Sequence, residues 1–128
     1  MDYYFTKIVD YPFDKAIKRV TEELKEEGFG VLTEIDVKET LKKKIDVDFR
    51  RYKILGACNP VFAHKALSAE NKIGTMLPCN VIVQEQDNGL VEVTAIDPVA
   101  SMMAVNNDEL AGIAIGVRDK LKKVIERI

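Results

Sequence analysis

Apolar residues recur at helical spacing in two long stretches of the chain. Phe13, Ala16, Ile17, Val20 and Leu24 fall on one face of a helix predicted from Pro12 to about Glu27. Leu110, Ile113, Ala114, Val117, Leu121, Val124, Ile125 and Ile128 mark a second, starting near Asn106 with Glu109 in its first turn as a capping-box partner. Gly28 suits the left-handed position that closes the first helix. Outside these helices the period changes to two. Strands are predicted at about Tyr3–Val9, Phe29–Ile35, Arg51–Cys58, Leu77–Gln86 and Leu90–Ile96.

Two short helices interrupt the strands. Asp36 with Glu39 forms a capping box for the first, whose buried line is read as Val37, Leu41 and Ile45. Asn59-Pro60 starts the second, running to about Leu67, because Asn is a favoured N-cap and Pro a favoured first helical residue. Asp87-Asn88-Gly89 joins the last two strands. A two-residue turn would set Glu85 against Glu92, whereas a three-residue loop with Gly89 left-handed sets Val81 opposite Ala95, Val83 opposite Val93 and Glu85 opposite Val91. The second register gathers the valines on one face and is preferred. Cys79 then shares the helix-facing side of Val81 and Val83, and Tyr52, Ile54, Gly56 and Cys58 share one face of the third strand. Pro98 ends the last strand, and an apolar connection follows from Val99 to Val105. The order β-α-β-(α)-β-(α)-β-β-α predicts an α+β fold: a two-layer sandwich with a largely antiparallel five-stranded sheet and two long helices on one face.

Composition narrows the function. The 128 residues are 47% hydrophobic and 31% charged, ordinary for one globular domain, with a net charge of −2. Nucleic-acid binding is not expected, because it rests on neutralising phosphates; Lys42-Lys43-Lys44 reads as a solvated helix face. No window approaches the ~20 apolar residues that span a bilayer, and the opening Met1-Asp2-Tyr3-Tyr4 carries no targeting pattern. The expectation is a cytoplasmic protein whose two cysteines are free thiols.

Three segments, Gly28–Val37, Tyr52–Pro60 and Leu77–Val81, together with Ala63-His64 and Ile96-Asp97-Pro98, carry a resemblance that covers nearly the whole chain. The sequence resembles domain-of-unknown-function family 302. That resemblance implies an α+β sandwich like the TATA-binding-protein type and a homodimer, and it implies no activity.

The residues that carry chemistry are few. Cys58 lies one residue before a predicted helix N-cap, where partial positive charge favours a thiolate; the alternative is a small buried hydrophobe. Cys79 follows Pro78 near a strand start and is read either as core or as a ligand. His64, the only histidine, falls one turn into the helix after Cys58, so a metal set of Cys58, Cys79 and His64 is conceivable, as is a plain surface position for the imidazole. Glu34 and Asp36 share a strand face as oxygen donors; Asp36 is explained by its cap, and Glu34 by a solvent-facing strand position if it is no ligand. Isolated cysteines lack the Cys-x-x-Cys spacing of zinc and thioredoxin sites, and Gly-rich phosphate loops, nucleophile elbows and His-Glu-x-x-His are absent from the sequence. Whether the chain is an enzyme stays open, and no cofactor is indicated. Three readings follow: a small-molecule or metal-binding module near the two cysteines, a homodimeric structural or interaction protein with Met102-Met103 between subunits, and a thiol-dependent redox enzyme.

Overall fold

The computed structural model describes residues 2–128. Five strands, β1 Tyr4–Val9, β2 Gly30–Asp36, β3 Tyr52–Cys58, β4 Cys79–Glu85 and β5 Val91–Ile96, form one antiparallel sheet in the order β1-β5-β4-β3-β2. Two long helices, α1 Phe13–Glu26 and α5 Asp108–Arg127, pack on one face of it. Three shorter helices are α2 Val37–Ile45, α3 Pro60–Ala69 and α4 Pro98–Ser101, with a 3-10 turn at Ile73–Met76. The expected two-layer α+β sandwich is the fold observed.

The local signals explain most boundaries. Gly28 adopts φ +85°, Phe29 N–H donates to Leu24 O and Gly28 N–H to Lys25 O, the hydrogen-bond pattern that closes a helix on a left-handed residue. Phe29 and Leu24 are both buried, so the closure is also an apolar contact. Asp36 accepts from Glu39 N–H, Asn59 from Phe62 N–H and Asn107 from Leu110 N–H, capping α2, α3 and α5. The β4–β5 hairpin has the three-residue register, with Val81 opposite Ala95 and Val83 opposite Val93. Gly89 is left-handed at φ +83°.

The core lies between the sheet's inner face and the two long helices. Val20, Leu24, Leu121 and Val124 are fully enclosed against Leu55, Val81, Val83, Val93 and Ala95. Each such aliphatic side chain contributes about 1.5–3 kcal/mol. A second, smaller cluster joins Ala66, Ile73, Met102, Leu110 and Ala114 beyond the end of the sheet.

Three sequence expectations need correction. The line Val37, Leu41 and Ile45 is not buried: α2 packs against β2 and β3 at the sheet's edge, nothing in the first core reaches it, and Ile45 is 64% exposed. The 98–105 connection contains a helical turn, α4, capped by Asp97 on Val99 N–H with Pro98 at its first position, the same device as Asn59-Pro60. The last helix starts at Asp108, because the cap is Asn107 and not Asn106.

Candidate functional site

β3 ends at Cys58, and α3 leaves it through Asn59-Pro60. β4 begins at Cys79, entered through a cis Leu77–Pro78 bond. Ala57 is the residue opposite Cys79, so the two share the inner face while Cys58, one residue on, belongs by alternation to the outer one. α3 crosses this end of the sheet and packs against α5.

A cavity of about 40 Å³ lies where these elements meet. Both cysteines border it, with Phe62, Ala63 and Ala66 of α3 and Leu110, Ala114 and Val117 of α5. Asn59 is the only lining residue with an amide side chain, and both ends of it are engaged: Oδ1 accepts from Phe62 N–H, and Nδ2 donates to Glu27 O at 3.2 Å. A water needs two to four polar partners, and here only thiols and hydrocarbon remain. A second cleft of about 170 Å³ adjoins it, sharing Met102, Leu110 and Ala114 in its wall. Met102 is buried between the two, and an unbranched thioether side chain changes shape more readily than a branched one.

The two thiols differ in setting: Cys79 is buried and Cys58 half-buried. Burial pushes the Cys79 thiol up from an ordinary 9.0 to about 11, and the nearby Cys58 adds a smaller push the same way. Cys79 is therefore protonated at neutral pH, and the thiolate is the form that attacks electrophiles and binds metals.

His64 is not brought to the site. The cavity side of α3 is the face of Phe62, Ala63 and Ala66, and His64 points to solvent, its carbonyl accepting from Ser68 Oγ at 2.8 Å. Glu34 lies opposite Leu55 on the edge strand, exposed, and 3.9 Å from Lys53 Nζ. Such a surface pair contributes at most about 1 kcal/mol. Asp36 serves as the α2 cap. Among the described residues no three His, Cys, Asp or Glu side chains converge, so the expected Cys58–Cys79–His64 metal set is not assembled. The physical reason is the phase of α3, which turns the imidazole away from the sheet end.

The wall residues Phe62, Ala66, Leu110 and Ala114 are apolar and carry no chemical signature that distinguishes a cavity from a filled core. Of the residues singled out in the sequence, Cys58 and Cys79 line the cavity, and so does Met102 of the methionine-rich connection, while Met103 is 69% exposed. Among the described residues no helix is long and apolar enough to cross a membrane.

The family described as Domain of unknown function DUF302 matches residues 5–128. The crystal structure of an uncharacterized conserved protein DUF302 from Bacillus stearothermophilus superposes with a TM-score of 0.91 at 31% identity, over 98% of this chain and 97% of that one. No curated protein matches the sequence.

Proposed function

The chain belongs to the DUF302 family, and from that premise we propose that it is a binding domain for a small uncharged apolar ligand rather than a thiol enzyme or a metal protein. The observation that carries this reading is the cavity bordered by Cys58 and Cys79, whose apolar wall continues past Met102 into a second cleft. Ligand sites are concave, mostly apolar and found where elements diverge. At about 40 Å³ the inner space is too small for a whole ligand, but it matches the methyl end of an aliphatic chain whose remainder lies along the 170 Å³ cleft once Met102 turns. A charged head has no partner inside, since the one amide is already paired with backbone. The neutral Cys79 thiol serves as a small apolar wall group.

Titration of isotope-labelled protein with octanol, followed by NMR, tests the reading. Saturable shifts are expected at the amides of Ala57, Ala66, Cys79 and Ala114. The variant Ala114→Leu fills the shared wall and loses the saturable shifts while still unfolding cooperatively. No saturable shift in the wild type, or the same shifts in a folded Ala114→Leu, rejects the proposal.

A further inference from the structure

The stretch from α2 into the start of β3 divides the charge of the chain. Residues 37–53 hold seven of the nineteen Lys and Arg and three of the twenty-one Asp and Glu, a net charge of +4. The rest of the chain therefore carries −6, against a total of −2. Four of these cations, Lys38, Lys43, Lys44 and Arg50, have no carboxylate within 4.0 Å among the described residues. Lys38 Nζ donates to the Phe49 carbonyl and Arg50 to Gln84 Oε1, while Lys43 and Lys44 are exposed. Aliphatic side chains stand among them. α2 closes on Asp46, left-handed at φ 54°, and Val47 N–H donates back to Leu41 O. The chain so returns over the last turn of the helix, whose apolar line is Val37, Leu41 and Ile45. At this tip Ile45 is 64% exposed and Val47 41%.

We infer that α2 and the turn after it seat the chain on an anionic lipid surface. Lysines beside an exposed apolar line are the composition of a helix that lies in a membrane interface. The ammonium groups meet lipid phosphates at the ends of their long stems, and the aliphatic tips of Ile45 and Val47 enter between the headgroups. The same surface repels the rest of the chain at −6 and so turns this end toward itself. Other occupants fit less well. Two copies facing one another through this patch would oppose +4 to +4. An acidic peptide in the adjoining groove of about 380 Å³ would meet Asp36, Glu39 and Asp48 among the lysines and neither of the aliphatic tips. A single-stranded nucleic acid needs open aromatic faces on which to stack its bases. The rings of Phe49 and Tyr52 are both taken by the Arg50 guanidinium, 4.4 and 5.6 Å from their centroids.

Co-sedimentation of the full chain with vesicles tests the assignment, using equal parts phosphatidylglycerol and phosphatidylcholine, or phosphatidylcholine alone. The wild type is expected to pellet with the mixed vesicles and to stay in solution with the neutral ones. Salt at about 1 M, where the screening length falls to about 3 Å, is expected to release it. Lys43→Glu combined with Lys44→Glu is expected to lose at least about tenfold in partitioning, with an unchanged circular dichroism spectrum because both side chains are exposed. The chain has no tryptophan, so Ile45→Trp gives a single reporter at the tip. Its emission is expected to shift to the blue with mixed vesicles and to stay unmoved by glycerol phosphate, which offers the same phosphate free in solution. A wild type that leaves the mixed vesicles unbound overturns the inference, and so does equal partitioning of the charge-reversed variant. A tryptophan emission unmoved by the mixed vesicles, or moved equally by glycerol phosphate, overturns it as well. Binding to single-stranded RNA with the vesicles left unbound would assign the patch to nucleic acid instead.

Discussion

Asn59 holds two elements together: its Oδ1 accepts from Phe62 N–H to cap α3, and its Nδ2 donates to the carbonyl of Glu27, the last residue of the first helix's closing turn. The side chain is 9% exposed, so neither bond is replaced by bulk water when it is lost. Asn107 repeats the arrangement, capping α5 and donating to Ala69 O at 2.9 Å. In both cases a helix start is tied to the end of an earlier helix, α3 to α1 and α5 to α3.

Asn59→Asp keeps the capping oxygen and removes the donor. The variant is expected to lose about 1–2 kcal/mol, because the Glu27 carbonyl is left unpaired beside an added carboxylate. Asn59→Ala removes the cap as well and is expected to cost about 1 kcal/mol more. Urea unfolding of the three proteins measures both steps; equal stability of wild type and Asn59→Asp would show that the Glu27 tie contributes nothing.

Gly116 of α5 lies under the ring of Phe62. A Cβ there would stand 2.9 Å from Phe62 Cε1, whereas a Cβ at Gly112, one turn earlier, meets nothing within 4 Å. Gly112→Ala is therefore expected to stabilise the protein by about 0.5–1 kcal/mol through helix propensity. Gly116→Ala gains the same propensity but displaces the ring, at a cost of about 1–3 kcal/mol, and is expected to be less stable than Gly112→Ala by roughly that amount. Thermal unfolding of the pair checks the order. The reverse order would mean that the cavity wall yields without cost.

Burial raises the Cys79 thiol to about 11 in the folded protein, above its ordinary 9.0. The folded state therefore holds a proton that the unfolded chain releases between those values. This contribution, about 2–3 kcal/mol, is complete below pH 9 and is lost as pH rises through 11. Stability of the wild type is expected to fall across that window more steeply than that of Cys79→Ala. Parallel slopes in denaturation at pH 8, 9, 10 and 11 would contradict the burial of this thiol.

The helices and the hairpin were legible because their determinants are local. The α1 closure needs only Leu24, Gly28 and Phe29 close in sequence, and the β4–β5 register follows from a Gly89 turn and a two-residue valine alternation. The Asp97-Pro98 start of α4 carries the same local signal as Asn59-Pro60. The exposure of Ile45 was not readable, because a periodic apolar line reports that a helix is amphipathic and not whether a second layer arrives to cover it.

The candidate site divides along the same boundary. That Cys58 ends a strand and precedes a capped helix is written in Cys58-Asn59-Pro60 itself. Only the pairing of Ala57 with Cys79 across β3 and β4, and the rotation of α3 that turns Ala63 inward and His64 outward, decided which side chains meet. Sequence periodicity acts over two to four residues, so it determined the elements and the faces they present. The cavity joins residues far apart along the chain through packing and strand register, which are settled by the whole core at once.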